Sequence, residues 1–182
     1  MTVMAHPDDA ELWAGGTLAH HTRAGTEVTI TVPRSGEIRD KEAAAGADIL
    51  GASLRRIDEL TVPALRQLLG QICPQVVITH PPHDIHPDHQ KVAGTLLAAL
   101  PEAVIATGCP QRVYTCDGYN NLDRDGRPLD LPVLIDVTAT WETKLAALAA
   151  HASQPIDGHF GPMAETLGRL HGRRIARRYA EA

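Results

Sequence analysis

Aromatic side chains are scarce in this sequence: only 3% of its 182 residues are Phe, Trp or Tyr. Aliphatic side chains and alanine must therefore fill most of the interior, although the 43% share of hydrophobic residues is ordinary for a folded domain. Basic charge is not in excess either, because the formal net charge is -5 at pH 7. Proteins that bind nucleic acid normally carry a basic surface, so we expect no nucleic-acid partner.

Cysteine pairs and long apolar runs are also missing. Cys73, Cys109 and Cys116 are odd in number and have no C-x-x-C spacing, which favours free thiols in a reducing compartment. No apolar run approaches the length of a membrane span, and no leader precedes Val3. We therefore expect a cytoplasmic protein with no membrane span. The length predicts one domain over residues 1–182, and a homo-oligomer is compatible with the sequence.

Short β-branched runs alternate with helical stretches along the chain. Strands that alternate with helices build parallel sheets through right-handed crossovers. We therefore expect an α/β fold with a mostly parallel central sheet. The predicted strands are 3–5, 26–32, 54–57, 75–79, 113–115 and 133–137, and the predicted helices are 11–23, 40–50, 62–72, 90–100, 141–150 and 164–180.

The first polar cluster follows the first predicted strand directly, in residues 6–9 (His-Pro-Asp-Asp). Pro7 cannot continue a strand, so the backbone turns there and Asp8 or Asp9 takes the N-cap position of the next helix. One imidazole and two carboxylates are thus expected at a strand-to-helix corner, where open α/β sheets bind ligands. Alone, this cluster indicates only a helix cap beside a histidine.

The second polar cluster, residues 80–89, follows another predicted strand and contains His86 and His89. Imidazoles and a carboxylate from the two clusters can form a three-ligand divalent site with an open position, as catalytic zinc sites do. In each cluster one residue can bind metal while the other acts as general base or as donor to an oxyanion. The spacing alone does not assign these roles. Asp88 is expected to hold an imidazole by its far nitrogen.

These two clusters together resemble the motifs of a known family. Residues 5–11 (Ala-His-Pro-Asp-Asp-Ala-Glu) with 15–17 (Gly-Gly-Thr), and residues 86–89 (His-Pro-Asp-His), are similar to the two motifs of the LmbE-like, or PIG-L, zinc-dependent N-deacetylases. The chain departs from many members at Ala10, where they carry an acid. Weaker similarities lie at 36–37, Arg39 with Glu42, Lys144, 151–154 and 179–182.

The resemblance implies a Rossmann-like three-layer α/β sandwich and a set of roles for the motif residues. His6, Asp9 and His89 would bind Zn²⁺ or another divalent transition metal. Asp8 would be the general base, and His86 would stabilise the oxyanion.

The activity that the resemblance implies is removal of an acetyl or other acyl group from nitrogen. The substrate would be a small polar molecule, an N-acetylated amino sugar or a sugar-containing metabolite. Metal-activated water would attack the amide carbonyl, with an aspartate as base. The rival hypothesis is a regulatory or inactive domain that binds metal without turnover, because few aromatic residues remain to hold a sugar.

Four further residues have open roles. Arg39 either contacts substrate or pairs with Glu42 on the same helix face. His151 either reaches the site from a helix end or only packs there. His83 and Asp84 are expected in a solvated loop, although substrate contact is the alternative. The Gly15-Gly16 pair is expected to allow close helix packing rather than to form a dinucleotide loop, since the full G-x-G-x-x-G pattern is missing.

Overall fold

The computed structural model describes residues 1–182 and shows the expected α/β fold with a mostly parallel sheet. The strands are β1 (Thr2–Val3), β2 (Thr29–Pro33), β3 (Ser53–Ile57), β4 (Val76–Thr79), β5 (Arg112–Thr115), β6 (Ile135–Asp136) and β7 (Ala180–Glu181). The helices are α1 (Asp9–Arg23), α2 (Glu37–Leu50), α3 (Val62–Ile72), α4 (Pro87–Thr107), α5 (Trp141–Ala149) and α6 (Gly161–Arg174). The five-stranded sheet has the order β3-β2-β1-β4-β5, and β6 and β7 form a separate two-stranded sheet.

One compact unit consists of residues 1–5, 31–34 and 56–129. Within it β4 pairs in parallel with both β1 and β5, and Val3 lies opposite Thr79. Helices α3 and α4 bury their apolar faces with these strands, around Leu69 and Leu96. Because β1 and β4 run parallel, the chain leaves both at the same edge, where the Ala5 amide donates a hydrogen bond to His80 Nε2 (3.0 Å).

The other compact unit consists of residues 6–30, 35–55 and 130–182 and contains α1, α2, α5 and α6. Its helix α1 packs closely against its neighbours at the glycine pair. A Cβ added at Gly16 would lie 2.7 Å from Val137 Cβ, and one at Gly15 would lie 3.2 Å from Lys144 Cγ. The structure therefore supports the packing role predicted for these two glycines.

Two helix predictions differ from the structure by more than five residues at one end, whereas the others agree to within three residues. The last helix ends at Arg174 instead of residue 180, because the chain turns and β7 pairs antiparallel with β6, with Ala180 opposite Asp136. Helix α4 is longer than predicted at both ends and includes Pro101. It begins at Pro87, a residue suited to the first turn of a helix because its missing N–H has no partner to lose there. His89 thus lies on the first turn of a helix rather than in a loop.

The expectation that all three cysteines are free is wrong for two of them. Cys73, at the end of α3, is bonded to Cys109, which follows α4, with a Cα–Cα distance of 5.2 Å. Helices α3 and α4 pack together, so their ends bring together thiols that are 36 residues apart. Cys116 is buried and is not part of this disulfide. None of the helices is both long and apolar enough to cross a membrane.

Candidate metal centre

The His6–Asp9 turn closes on itself through the Asp9 carboxylate. Asp9 Oδ2 accepts a hydrogen bond from the His6 backbone N–H (2.7 Å) and lies 3.2 Å from His6 Nδ1. The Asp9 side chain is only 3% exposed, whereas that of His6 is 28% exposed. The turn therefore presents an imidazole and a carboxylate oxygen side by side, with the carboxylate held against its own backbone.

Asp8 occupies the N-cap position of α1, as predicted, but its side chain makes no capping hydrogen bond. Its φ of 113° lies in the left-handed region, which costs a residue with a Cβ of the order of 1–3 kcal/mol and is found most often at functional sites. Arg39, on α2, holds this conformation from outside. Its Nη2 donates to Asp8 Oδ2 (3.0 Å) and to the Pro7 carbonyl (2.5 Å).

The environment of Asp8 raises the pKa of its carboxyl from 3.8 to about 7. Burial is the largest cause, because it disfavours the charged form, and the nearby Asp9 carboxylate adds to it. Electrostatic interactions with Arg39, His151 and His6 act in the opposite direction and lower the pKa. A carboxyl whose pKa lies near neutrality is suited to taking up and returning a proton.

Asp84 organises the second cluster. Its Oδ1 accepts a hydrogen bond from the His86 backbone N–H (2.8 Å), and its Oδ2 lies 3.0 Å from His89 Nδ1. The Gln90 side-chain amide donates to the Asp84 carbonyl (2.7 Å). Asp84 and His89 are both buried, with side chains 1% and 0% exposed. An ionised carboxylate only accepts, so pairing with an ionised Asp84 would put the proton of a neutral His89 on Nδ1 and the lone pair on Nε2.

Stacked imidazoles hold His89 in place. The His80 ring lies 3.7 Å from the His89 ring, between centroids, and the two planes differ by 14°. The His86 ring stacks on His89 at 4.6 Å. His86 also caps α4, because its Nδ1 accepts a hydrogen bond from the Asp88 backbone N–H (3.2 Å). The proton of a neutral His86 is therefore on Nε2.

Three His and Asp groups in the chain have donors that suit a metal ion. In the group His80, Asp84 and His89, the ligand atoms lie within 4.8 Å of one another. Two of these atoms are already engaged, however, since His80 Nε2 accepts from Ala5 and Asp84 Oδ2 binds His89. The group that includes Asp88 depends on a carboxylate that is 62% exposed. These two groups are poor metal sites.

The third group, His6, Asp9 and His89, has the chemistry of a catalytic divalent site: two imidazole nitrogens and one carboxylate oxygen. His89 also has the carboxylate partner on its other nitrogen that metal-binding histidines normally have. The sequence interpretation gave such a role to Asp88 and expected Asp84 in a solvated loop. The sequence did contain a signal for the role of Asp84, because this carboxylate comes two residues before His86 and five before His89.

The other residues singled out in the sequence have different surroundings in the structure. Arg39 pairs with Asp8, whereas Glu42, its alternative partner, accepts hydrogen bonds from the Ser153 amide and hydroxyl. His151 is fully buried, with its Nε2 3.5 Å from Glu11 Oε2. His83 is exposed, as expected for a solvated loop.

Comparisons with known proteins identify related sequences and structures. The family model of PIG-L, GlcNAc-PI de-N-acetylase, matches residues 1–100. The chain is 28% identical to the 1D-myo-inositol 2-acetamido-2-deoxy-alpha-D-glucopyranoside deacetylase of Mycolicibacterium smegmatis, over 84% of this chain and 78% of that protein.

Solved structures share the fold along the whole chain. The conserved protein TT1542 of Thermus thermophilus superimposes with a TM-score of 0.82 at 26% identity, covering 99% of this chain and 91% of its own. The 4-carboxy-2-hydroxymuconate hydratase GalB of Pseudomonas putida has a TM-score of 0.77 at 22% identity, covering 100% and 94%. The hydratase shows that this fold also occurs with other chemistry. On the match over residues 1–100, the chain belongs to the PIG-L family.

Proposed function

We propose that this protein is a metal-dependent amidohydrolase that removes an acetyl or other acyl group from the nitrogen of a small polar substrate. An N-acetylated amino sugar or a sugar-containing metabolite is the proposed substrate class, in line with the sugar deacetylase named above. The observation that carries the proposal is the buried Asp8 carboxyl, whose pKa is about 7, directly beside a His and Asp turn suited to a metal. A domain that only binds metal has no need of such a base.

We assign His6, Asp9 and His89 as the metal ligands and zinc as the metal, on the basis of ligand type. Chain connectivity supports the assignment. The Ala5 amide is hydrogen-bonded to His80, whose ring stacks on His89, and His6 follows Ala5 directly. When bound, a divalent metal lowers the pKa of a coordinated water and polarises the amide carbonyl.

Asp8 is the proposed general base. Its carboxylate takes the proton of the attacking water, and the resulting carboxylic acid then gives that proton to the amide nitrogen as the C–N bond breaks. Acetate and a free amine are the products, and Asp8 returns to its starting state. Arg39 holds the carboxylate in place by its bond to Oδ2.

His86 is the proposed donor to the oxyanion of the tetrahedral intermediate. Because the Asp88 amide donates to its Nδ1, the ring carries a proton on Nε2 that it can donate to an oxygen. The His86 side chain is 35% exposed, which leaves it accessible to a substrate. Its stacking on the buried His89 limits how far the ring can turn.

The test is Asp8→Asn, with metal content and acetate release measured on a panel of N-acetyl sugars. We expect kcat to fall by about 10²–10⁴-fold, the usual contribution of a general base, while the variant keeps its metal. Asp88→Asn, at an exposed carboxylate, is the control and should retain most activity. Full turnover by Asp8→Asn would exclude Asp8 as the base. A metal-loaded parent protein that releases no acetate from any substrate of the panel would favour the rival, a metal-binding domain without turnover.

A cytoplasmic location also remains a proposal, and the disulfide bears on it. Disulfides persist mainly in oxidising compartments, whereas the sequence interpretation placed three free thiols in a reducing one. Alkylation of thiols in intact cells before lysis distinguishes the two. Labelling of Cys73 and Cys109 would support the cytoplasm, and their protection would contradict it.

A further inference from the structure

A buried charged pair in this protein takes no part in the proposed chemistry. The Lys144 and Glu181 side chains are 3% and 6% exposed, and Lys144 Nζ lies 2.5 Å from Glu181 Oε1. Two charges withdrawn from water in this way are costly unless further hydrogen bonds satisfy them. The partners that satisfy them lie in the backbone of α1.

Both charged groups bind backbone atoms of α1 that a regular helix uses internally. Glu181 accepts hydrogen bonds from the Gly16 N–H (2.9 Å) and the Thr17 N–H (2.7 Å). In a regular helix the Gly16 amide donates to the Leu12 carbonyl, and the Leu12 carbonyl here also accepts from Lys144 Nζ (2.7 Å). The ion pair thus contacts the donor and the acceptor of the same turn of α1.

The surroundings of α1 make this arrangement possible. Gly15 and Gly16 have no Cβ, so the backbone can approach Lys144 and Val137 closely. The pairing of β7 with β6, in which Glu181 lies opposite Ile135, holds the glutamate beside the helix. The Thr140 hydroxyl adds a bond to the Gly16 carbonyl (2.8 Å). Residues far apart in the sequence therefore converge on the middle of a single helix.

The same turn of α1 is hydrogen-bonded to Asp8, the proposed base. The Leu12 N–H donates to the Asp8 carbonyl (2.8 Å), so the backbone of Leu12 is bonded to Asp8 through its N–H and to Lys144 through its carbonyl. We infer that Lys144 and Glu181 are positioning residues, which fix the first turn of α1 so that Asp8 and Asp9 keep the conformation needed for metal binding and proton transfer. This inference rests on the proposed function for its catalytic part.

A purely structural ion pair would lower stability when removed and leave the site unchanged. The experiment therefore compares two test variants, Glu181→Gln and Lys144→Met, with a control variant, Glu165→Gln. The control replaces a carboxylate on α6 that accepts hydrogen bonds from Arg169 and Tyr179. We measure the dissociation constant for Zn²⁺ by chelator competition, hydrogen exchange of the Leu12 amide, and kcat and KM separately.

For both test variants we expect zinc affinity to fall by about tenfold, the lower end of the effect of residues that support metal ligands. The Leu12 amide should exchange faster, and kcat should fall with little change in KM. The control should change thermal stability alone. Zinc affinity and Leu12 exchange within twofold of the control would overturn the inference.

A milder substitution tests the inference if the two test variants fail to fold. If neither test variant folds, Thr140→Val, which removes the hydroxyl that donates to the Gly16 and Val137 carbonyls, must shift zinc affinity and Leu12 exchange in the same direction by a smaller factor. No shift in that variant overturns the inference. Zinc affinity and hydrogen exchange of the Leu12 amide do not depend on turnover. A parent protein that releases no acetate would therefore contradict the proposed function, while these two measurements would still test the positioning role.

Discussion

The two histidine clusters are built by different means. Within the second cluster, Asp84 binds the His86 amide and the His89 ring, and Gln90 binds Asp84, so these contacts join residues no more than six positions apart. In the first cluster Asp9 is held locally by the His6 amide, whereas Asp8 is held from a distant part of the chain. Asp8 is bonded to Arg39, 31 residues later.

The two clusters are therefore sensitive to different substitutions. The contacts of Asp84 with His86 and His89 are local and should tolerate most changes elsewhere in the chain. The first cluster contains a strained residue at φ 113° and two adjacent carboxylates, and a distant cation, Arg39, is bonded to one of them. Changes in that distant partner should therefore act on Asp8 and leave the Asp84–His89 pair intact.

The largest expected effect concerns Asp8 in the metal-free protein. Because the folded state raises the pKa of this carboxyl to about 7, it binds the proton more tightly than the unfolded chain does. Its stabilising contribution is complete below about pH 4 and is lost as the pH rises to about 7, a change of the order of 4 kcal/mol in the free energy of unfolding. Thermal unfolding in EDTA between pH 4 and 8 measures it.

Asp8→Asn is the reference for that measurement, because other groups also titrate in this range. The difference in unfolding temperature between parent and variant should change with pH across this window. A difference that stays constant from pH 4 to 8 would show that Asp8 ionises normally in the folded protein.

The second prediction concerns the locally built cluster. Asp84→Asn removes the carboxylate that holds the His89 imidazole, and such partners typically contribute about 10–100-fold to metal affinity. We expect the Zn²⁺ dissociation constant to rise by about that factor. Asp88→Asn, at a neighbouring exposed carboxylate, should change it less than twofold. Equal effects of the two substitutions would remove Asp84 from its assigned role.

The third prediction compares a crowded glycine with an open one. A Cβ at Gly46 would lie 2.6 Å from Glu11 Oε1 and 3.0 Å from His151 Nε2, so Gly46→Ala should destabilise the protein by about 1–3 kcal/mol. Gly94, in α4, has nothing within 4 Å of the added atom, and Gly94→Ala should stabilise by about 0.5–1 kcal/mol. Urea unfolding measures both changes. If both substitutions changed the free energy of unfolding in the same direction, the result would contradict the packing described around His151.

The smallest expected effect tests the cation that faces Asp8. Arg39 lowers the pKa of the Asp8 carboxyl, so Arg39→Met should raise it and leave less of the base ionised at neutral pH. We expect kcat/KM at pH 7 to fall by roughly three- to tenfold, with the acidic limb of the pH profile moved to higher pH. Lys41→Met, at an exposed lysine on the same helix, is the control. An acidic limb that stays in place would show that Arg39 acts on substrate alone.

Much of the fold followed from local patterns. The span of α3 matches its prediction residue for residue, because its apolar spacing and the Thr61 cap are local signals. The C-terminal helix was extended too far because β7 exists only through its pairing with β6, about 45 residues earlier in the chain. The disulfide was missed for a similar reason, since the spacing of Cys73 and Cys109 has no meaning until α3 and α4 pack together.

The residue types of the proposed site follow from local sequence, which places imidazoles and carboxylates shortly after β1 and β4. The surroundings of these groups depend on how the chain folds. Tertiary structure places Asp84 on His89, Arg39 on Asp8, and the Lys144–Glu181 pair against α1. The physical reason is that the pKa and orientation of a buried group depend on charges and donors that surround it in space, and those around Asp8 come partly from distant parts of the chain.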